Sequence, residues 1–389
     1  MFDRVSPRLL LLTPDFPPAR GGIQLLTHRL ASGFTAFQTS VVTLDGAGAE
    51  RFDARSGVLT RRARADGRLG RGRIVSLNAL ALREALSFRP DVTLSAHIVT
   101  SPAAAIIRRV LGARSVQYFY AKEIGSKPRL SAFAARRADA SISISSYTSG
   151  LLAANGVATA HVSLIPPGVD LPADARPERA ERPTFLTISR LADRYKGHDV
   201  LVRSLELIRE RVPDVEWVVI GDGPLRSELE ELAREHGVAG CTRFLGAVED
   251  HERDAWLRRA DLLAMPSRLP GGGLAGEGFG IVYLEAGAHG KPVVAGNVGG
   301  AVDAVLDGES GLLVDPTDPV AVAEAITTLL LDRELARRFG DAGAARARSL
   351  AWPVIVERVQ TLLLEQLEAS TRPGGRDGRE PAGATRAAA

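Results

Sequence analysis

Two glutamates lie eight residues apart in the stretch AGEGFGIVYLEAGAHGKPVVA, residues 275–295. Glu277 stands before an expected helix start, and Glu285 lies inside the apolar run that follows. Glycines at a helix start expose backbone amides that can bind a phosphate, and here the intervening turn is Gly278, Phe279 and Gly280. A carboxylate deeper in the helix can accept two ribose hydroxyls, which fits Glu285. Complementing the helix dipole would explain Glu277 but not a glutamate inside an apolar run.

Two cations follow another expected strand, in TISRLADRYKGHDVLVRSL. Arg190 and Lys196 lie six residues apart on a short loop, from which both could reach a cleft above the sheet. A guanidinium fork and a point ammonium together suit a diphosphate. Spacing alone equally allows two solvated surface cations.

A third loop, in VVIGDGPLRSELEELARE, joins a hydrophobic strand to a helix with early acidic residues. Its glycines would let the backbone approach an anion, and the loop residues concerned are Gly221, Asp222 and Gly223. A tight strand-to-helix turn uses the same residues without any ligand. The structural interpretation is the better supported of the two.

Strand and helix patterns alternate along the whole chain and place these loops. Apolar runs such as RLLLLTP, TSVVTLD, DVTLSA, RSVQYFY and ASISIS alternate with helical stretches to about residue 165. A second series, from TFLTIS to GLLVDP, repeats the pattern. Alternation of this kind predicts α/β architecture with parallel sheets. We therefore expect two doubly wound, Rossmann-like domains that face each other across a ligand cleft.

Composition shifts set the expected boundaries. Residues 166–183 hold five prolines and few large apolar side chains, which is typical of a connector. We predict an N-terminal Rossmann-like domain over 1–170, a linker over 171–182 and a second Rossmann-like domain, which would bind the ligand, over 183–350. Residues 351–370 read as a final helix, expected to return to the first domain. Residues 371–389 lack core-forming side chains and are predicted to be disordered.

Composition also limits the class of protein. The chain has 389 residues, 45% hydrophobic and 24% charged, as ordinary globular proteins do. A single cysteine, Cys241, excludes a disulfide framework and indicates a reducing cytosol. Apolar runs are too short and too soon interrupted by charge to span a bilayer. We expect a cytoplasmic protein that is soluble or peripheral on the inner face of the cell membrane.

The two halves of the chain carry opposite charge. Residues 1–170 hold 22 Lys and Arg against 11 Asp and Glu, whereas the remainder holds 27 against 35. Eight arginines fall between Arg51 and Arg73, a segment that could dock on anionic lipid at about 1 kcal/mol per basic residue. A solvated, partly mobile loop is the alternative. Nucleic acid is not expected as a partner, because the segment lacks interleaved aromatics.

A resemblance connects these motifs. The series SRLADRYKG, VIGDGP, FLGAV, ADLLAMPS, EGFGIVYLEAGAHGKPVVA and GLLVDP closely resembles retaining GT-B glycosyltransferases of family 4 type. Their E-x7-E motif is matched by Glu277 and Glu285. The resemblance covers residues 183–330 in motif order, while PDFPPARGGIQ is similar to the donor-phosphate loop of phosphatidyl-myo-inositol mannosyltransferases.

The resemblance implies a role for each matched residue. Gly21 and Gly22 would lie near the donor sugar and phosphates, and Val248 by the base. Arg190 and Lys196 would hold the diphosphate. Glu277 would bind the sugar and Glu285 the ribose.

One position departs from the family pattern. Many relatives carry a histidine in a short H-x-x-E-like loop, whereas this chain has QYFYAKEIG, with Tyr120 at that place and Glu123 retained. Either Tyr120 binds the sugar in place of the histidine, or activity is altered. His97 is a second candidate at a strand end, although a structural role fits it better.

The resemblance implies transfer of a hexosyl group, mannosyl favoured, from a nucleoside diphosphate sugar with retention of anomeric configuration. GDP-mannose and UDP-hexoses are both compatible, and no further cofactor is expected. No D-x-D motif occurs, which favours metal-independent chemistry. The acceptor is expected to be lipid-linked or membrane-proximal. A soluble aglycone or saccharide acceptor, a non-catalytic nucleotide-sugar binder and a nucleotide-sugar epimerase are the alternatives, and the oligomeric state is open.

Overall fold

Two parallel β-sheets, each flanked by helices, organise the chain. The computed structural model describes residues 6–64, 70–174, 178, 180–271 and 276–371. The first sheet has the order β3-β2-β1-β4-β5-β6-β7 and the second β10-β9-β8-β11-β12-β13. The predicted fold, with two Rossmann-like domains, is thereby confirmed.

The first domain alternates strands and helices. Its strands are β1 (Arg8–Leu12), β2 (Gln38–Leu44), β3 (Leu59–Ala63), β4 (Val92–Ser95), β5 (Arg114–Phe119), β6 (Ala140–Ser143) and β7 (Val162–Leu164). Its helices are α1 (Gly22–Gly33), α2 (Ala49–Ser56), α3 (Arg71–Phe88), α4 (Ser101–Leu111), α5 (Ala121–Ser126), α6 (Pro128–Arg137) and α7 (Ser146–Ala154).

The second domain repeats the arrangement. Its strands are β8 (Thr184–Ile188), β9 (Glu216–Ile220), β10 (Thr242–Gly246), β11 (Leu262–Met265), β12 (Val293–Gly296) and β13 (Gly311–Val314). Its helices are α8 (His198–Arg211), α9 (Arg226–Glu235), α10 (Asp250–Arg259), α11 (Ile281–Ala288), α12 (Ala301–Ala304), α13 (Pro319–Leu331) and α14 (Arg333–Ser349), and α15 (Trp352–Thr371) ends the described chain.

Burial on both faces explains why the central strands are continuous apolar runs. Leu9 to Leu12 of β1 are fully buried, and β11 is buried along its whole length. Helices cover both faces of a parallel sheet, so alternate residues cannot be polar. Strand ends therefore deliver their polar loops to one edge, where the two sheets face each other.

The last helix crosses back to the first domain, as predicted. Helix α15 packs on α1, where Val356 lies against Gly33 and the Gln360 side chain accepts a hydrogen bond from Ala36 N at 2.9 Å. The two crossings between domains also bind each other. Val169 N donates to Leu350 O at 3.0 Å, and Trp352 N donates to Val169 O at 3.1 Å.

The arginine-rich segment is not a loop in its described part. It contains α2, β3 and the start of α3, so the loop interpretation is wrong there. Arg62 is buried against Asp53, and Arg61 lies 3.4 Å from Glu84, so neither is a free basic side chain. Arg51, Arg55 and Arg64 are exposed. Arg68 lies outside the described residues, as do the predicted tail over 372–389 and part of the linker.

Candidate functional site

A cavity of about 260 Å³ lies between the two domains. Its N-terminal wall comes from α1, the start of α5 and the end of β6, and its C-terminal wall from the turn before α11. The lining residues are Gly22, Ile23, Leu26, Tyr120, Ala121, Lys122, Ile144, Pro167, Tyr195, Gly276, Glu277, Gly278, Phe279, Gly280 and Ile281. Four residues predicted to bind the donor thus face Gly22 and Tyr120 of the opposite wall in one cavity, namely Glu277, Gly278, Phe279 and Gly280.

Glu277 and Lys196 form an ion pair at this cavity. Lys196 Nζ donates to Glu277 Oε2, and the two side chains are only 15% and 13% exposed. Burial lowers the pKa of Lys196, but the Glu277 carboxylate more than offsets this, so the pKa lies above its ordinary value. The ammonium also stands 5.2 Å from the centre of the Tyr195 ring. A permanent cation is therefore held beside the cavity, where an anionic group of a ligand can reach it.

Arg190 is placed differently from Lys196. Its side chain is 78% exposed, and its nearest carboxylate is Asp193 at 3.6 Å. It does not line the cavity as the structure describes it. Because few contacts restrain the exposed Arg190 side chain, it can move onto a ligand at the cleft. Lys196, in contrast, is fixed by its ion pair with Glu277.

Tyr120 lines the cavity and carries a buried hydroxyl. Its ring stacks on Tyr118 with centroids 5.5 Å apart, and its hydroxyl has no hydrogen-bond partner among the described residues. Burial, with the nearby charges of Glu123 and Asp15, keeps the pKa of Tyr120 well above its ordinary value. The hydroxyl is thus a protonated donor, and an unpaired buried donor is costly unless a ligand supplies the acceptor.

Glu123 holds the loop that presents Tyr120. Its Oε1 accepts from Tyr120 N at 3.1 Å, and its Oε2 accepts from Ile98 N at 3.0 Å. The same Oε2 lies 3.1 Å from His97 Nδ1, and burial raises the pKa of Glu123 to about 8. His97 therefore belongs to a structural network, which agrees with the structural role favoured for it in the sequence analysis.

The glycines of the loop after β9 are required by packing. Gly221 has φ near 132°, and a Cβ there would stand 1.9 Å from Ser189 O. Gly223 would meet Leu191 O in the same way, at 2.4 Å. Asp222 O accepts from Leu191 N at 3.0 Å. Close contact between the loops after β8 and β9 thus accounts for both glycines, and the donor contacts of all three residues stay a prediction.

Glu285 lies on α11 outside the cavity lining. Its Oε1 stands 3.5 Å from a guanidinium nitrogen of Arg253 on α10. Burial raises the pKa of Glu285, and Arg253 offsets part of the rise. Val248, half-buried, precedes the same helix α10, so the residues predicted to bind ribose and base share one side of the second domain. Gly21 sits directly before α1 with its carbonyl accepting from Leu25 N.

Comparison with known proteins decides the family. The model described as "Glycosyltransferase Family 4" matches residues 20–172, and the model described as "Glycosyl transferases group 1" matches residues 173–346. The chain is 36% identical over 358 residues to a protein of Mycolicibacterium smegmatis, covering 86% of this chain and 92% of the relative. The chain belongs to this family of glycosyltransferases.

That relative is named GDP-mannose-dependent alpha-(1-6)-phosphatidylinositol monomannoside mannosyltransferase. A protein of the same name from Mycobacterium tuberculosis is 34% identical over 381 residues, with 86% of this chain and 92% of the relative covered.

Solved structures support the GT-B fold of the glycosyltransferase. Anabaena HepE, crystallised with UDP and glucose, superposes with a TM-score of 0.75 at 21% identity and covers 92% of this chain and 99% of its own. Sucrose-phosphate synthase from Thermosynechococcus elongatus gives 0.77 at 22% identity, covering 94% and 100%. Likeness at this identity concerns the fold.

Several residues around the glycosyltransferase site were not predicted from the sequence. Tyr195 and Lys122 line the cavity, and Arg253 pairs with Glu285. An aromatic residue directly before the predicted phosphate-binding lysine was a usable signal for Tyr195. Nothing in the charged pattern of α10 distinguishes Arg253 from its neighbours, so only the fold reveals it.

The described residues contain neither a cluster suited to a metal ion nor a membrane-spanning helix. No group of three His, Cys, Asp or Glu side chains in the described ranges is arranged to hold a metal ion. None of the helices that the structure describes is both long and apolar enough to cross a membrane.

Proposed function

We propose that this glycosyltransferase moves a mannosyl group from GDP-mannose, with retention, to a lipid-linked acceptor. The observation that carries the proposal is one cavity lined both by Glu277 of the second domain and by Tyr120 of the first, whose buried hydroxyl has no hydrogen-bond partner among the described residues. Sugar and lipid acceptor are inferred from the printed names of the mycobacterial relatives, which are about one-third identical over most of the chain.

Each end of the donor has a candidate partner. Lys196 and Arg190 would bind the diphosphate, with the amides at the start of α11 adding a partial positive charge. Glu277 and Tyr120 would bind sugar hydroxyls. Glu285 would bind the ribose and Val248 would contact the base, while Gly21 and Gly22 leave room beside the sugar and phosphates.

Retention is proposed to follow a front-face route. Among the described residues that line the cavity, Glu277 is the one carboxylate, and Lys196 occupies it. Double displacement needs a carboxylate nucleophile placed under the anomeric carbon, a role for which Glu277 is badly suited. The anomeric carbon–phosphate oxygen bond would break as the acceptor oxygen bonds from the same face, and the acceptor proton would pass to the leaving phosphate. Lys196 and Arg190 would stabilise the charge that develops there.

A donor panel tests the proposal. Purified protein is incubated with GDP-mannose, UDP-glucose or UDP-galactose, with and without phosphatidylinositol mannoside vesicles, and nucleoside diphosphate release is measured. Release with GDP-mannose that rises with the vesicles supports the proposal, and an α-linked product by NMR supports retention. Activity unchanged by EDTA supports metal independence.

Other outcomes identify the alternatives. Release stimulated by a soluble sugar and not by vesicles would replace the lipid acceptor with a soluble one. Nucleotide binding in calorimetry without release from any donor would indicate a non-catalytic nucleotide-sugar binder. Lys196→Ala serves as the matched inactive control, because it removes the fixed cation at the diphosphate.

A further inference from the structure

Among the described arginines between Arg51 and Arg73, Arg62 makes the most hydrogen bonds, and it does not line the cavity. Its side chain is 9% exposed. Nε and Nη2 donate to the two oxygens of Asp53, each at 2.7 Å. Nη1 donates to Leu44 O at 3.0 Å, and Nη2 also donates to Pro17 O at 2.6 Å. One guanidinium thus joins β3, α2, the end of β2 and the loop before α1.

The loop that Arg62 binds leads directly to the cavity. It runs from the end of β1 to Gly22, which lines the cavity wall and stands close to Ile281 of the opposite domain. Its inner part is held through Asp15, whose carbonyl accepts from Thr27 Oγ1 at 2.8 Å. Its outer part, Ala19 to Gly21, is exposed. Between the inner and outer parts of the loop, the hydrogen bond from Arg62 to the Pro17 carbonyl holds the backbone in place.

Aromatic packing adds to the same anchor. Phe16 is buried, and its ring lies 5.8 Å from His28 and 6.2 Å from Phe52, both in edge-on geometry. The Arg62 guanidinium stands 5.8 Å from the centre of the Phe16 ring. Residues 16 and 17 are thus held from the side of α2 and β3, so a shift of Arg62 would move the loop as a unit.

We infer that Arg62 is a positioning residue for sugar transfer, which sets the loop Phe16–Gly22 against the donor cavity through the Pro17 carbonyl. This inference rests on the proposed function only because it assumes that the loop faces the donor sugar. Arginine is specifically required, because lysine offers three donors from one point and cannot span Asp53, Leu44 O and Pro17 O. Misplacement of a cavity wall by about 1 Å can lower turnover on the order of 10²-fold.

The neighbouring Arg61 provides a matched control. Successive residues of a strand point to opposite faces, so Arg61 projects away from Arg62 and lies near Glu84 of α3. Its side chain is 51% exposed. Arg61→Gln removes the same type of side chain from the same strand without touching the loop.

The first test is cleavage by trypsin after Arg20, followed by mass spectrometry of the intact chain. Cleavage of an exposed loop requires local opening, so its rate reports how firmly the loop is held. We expect Arg62→Lys and Asp53→Asn to speed this cut about 10-fold, and Arg61→Gln to leave it unchanged. Because no donor is needed, the test stands even if GDP-mannose proves not to be the substrate.

The second test is turnover of GDP-mannose beside GDP affinity in calorimetry. Arg62→Lys should lower kcat by about 10- to 100-fold and change GDP affinity less than twofold, because the predicted nucleotide contacts belong to the other domain. The Arg62→Lys, Asp53→Asn double variant should be no worse than either single one. Unchanged cleavage after Arg20 in both single variants would overturn the inference. Faster cleavage throughout the chain with a lower Tm would do the same, since it would show a general structural role.

Discussion

The surroundings of Glu123 favour its protonated form. His97 Nδ1 accepts from Val99 N at 3.1 Å, so this nitrogen carries no proton of its own. Its 3.1 Å contact with Glu123 Oε2 is then a close approach of two acceptor atoms, which disfavours a charged carboxylate there. The pKa directions agree, because burial raises the pKa of Glu123 to about 8 and lowers that of His97 to about 4. Glu123 is a neutral acid near pH 7.

Protonation of Glu123 should appear in the pH dependence of stability. Its pKa is about 8 in the folded protein against 4.5 ordinarily, so the folded state binds the proton more firmly. The stabilising contribution is full below about pH 4.5 and is lost as the pH rises to about 8. Glu123→Gln cannot ionise, so its stability should fall less than that of the wild type between about pH 5 and 8 in urea unfolding.

The exposed Glu324→Gln on α13 is the control, and it should follow the wild-type profile. Other groups near Glu123, namely Asp15 and Lys127, are common to all three proteins and cancel in the comparison. Parallel profiles for wild type and Glu123→Gln would show that Glu123 is ionised in the folded protein at neutral pH.

Tyr120→Phe separates a binding role from a structural one. The hydroxyl makes no hydrogen bond among the described residues, so its removal should leave the unfolding free energy unchanged or higher. If the hydroxyl binds the donor sugar, kcat should fall on the order of 10–10²-fold. Tyr120→His, which restores the residue of many relatives, should recover part of the rate. Full activity in Tyr120→Phe would remove the hydroxyl from the mechanism.

Glu285→Gln tests the ribose contact. Loss of a charged acceptor should weaken nucleoside diphosphate binding by about 1–3 kcal/mol, measured by calorimetry. The substitution also removes one acidic partner of Arg253, so Asp254→Asn, which removes another at the same distance of 3.5 Å, is the control. Equal nucleoside diphosphate affinities in all three proteins would show that Glu285 does not bind the ribose.

At the scale of elements, the sequence predicts the buried central strands and misses the two edge strands of the first sheet, β3 and β7. Central strands such as β1 are apolar on both faces and cannot be mistaken for loops. Strand β3 has the sequence LTRRA. The strand can hold two arginines because Arg61 lies on its exposed face and Arg62 is neutralised by Asp53. Charge compensation of this kind depends on a partner nine residues away, so no local pattern indicates a strand.

In the candidate site, too, single residues can be predicted from the sequence, whereas the contacts between them depend on the fold. Glu277 and Lys196 were each predicted from their loops, but their direct pairing depends on how those loops meet. Gly221 was expected to be structural, and its close approach to Ser189 O agrees. Residues contributed by the other domain, such as Lys122, follow only from the way the two sheets face each other.

The segment before the second domain fits closely under α15. A Cβ on Gly168 would stand 2.5 Å from Cε3 of the Trp352 ring, which is buried and cannot move aside cheaply. Gly168→Ala should therefore lower the unfolding free energy by about 1–3 kcal/mol. Gly46→Ala, where an added Cβ meets nothing within 4 Å, is the control. Equal urea midpoints for the two variants would contradict this packing argument.

At the scale of the whole molecule, the opposite charge of the two halves still favours a membrane-facing first domain, with a revised set of arginines. Arg51, Arg55 and Arg64 are exposed, whereas Arg62 is not available. Replacing these three with glutamine should weaken sedimentation with anionic vesicles by up to about 1 kcal/mol per residue. Binding by the wild type should also fall as salt rises, because screening shortens electrostatic reach to about 8 Å at physiological ionic strength.

A charge-matched variant controls for net charge. Arg203, Arg211 and Arg338 are exposed on the second domain, and their replacement by glutamine removes the same three charges. This variant should bind anionic vesicles as the wild type does. Equal loss in both triple variants would mean that net charge alone governs attachment, and binding to neutral vesicles would exclude an electrostatic surface.

The bridge between Val169 and Ala351 predicts how the two domains would move apart if the cavity widens. Both chain crossings between the domains pass through this one place, bound to each other by backbone hydrogen bonds. Two bodies joined at one such place keep rotation about it but lose freedom to slide apart. The displacement of any point then grows with its distance from that axis. Pro167, two residues from Val169, lines the cavity, so this end of the cavity should keep its dimensions while the far side widens.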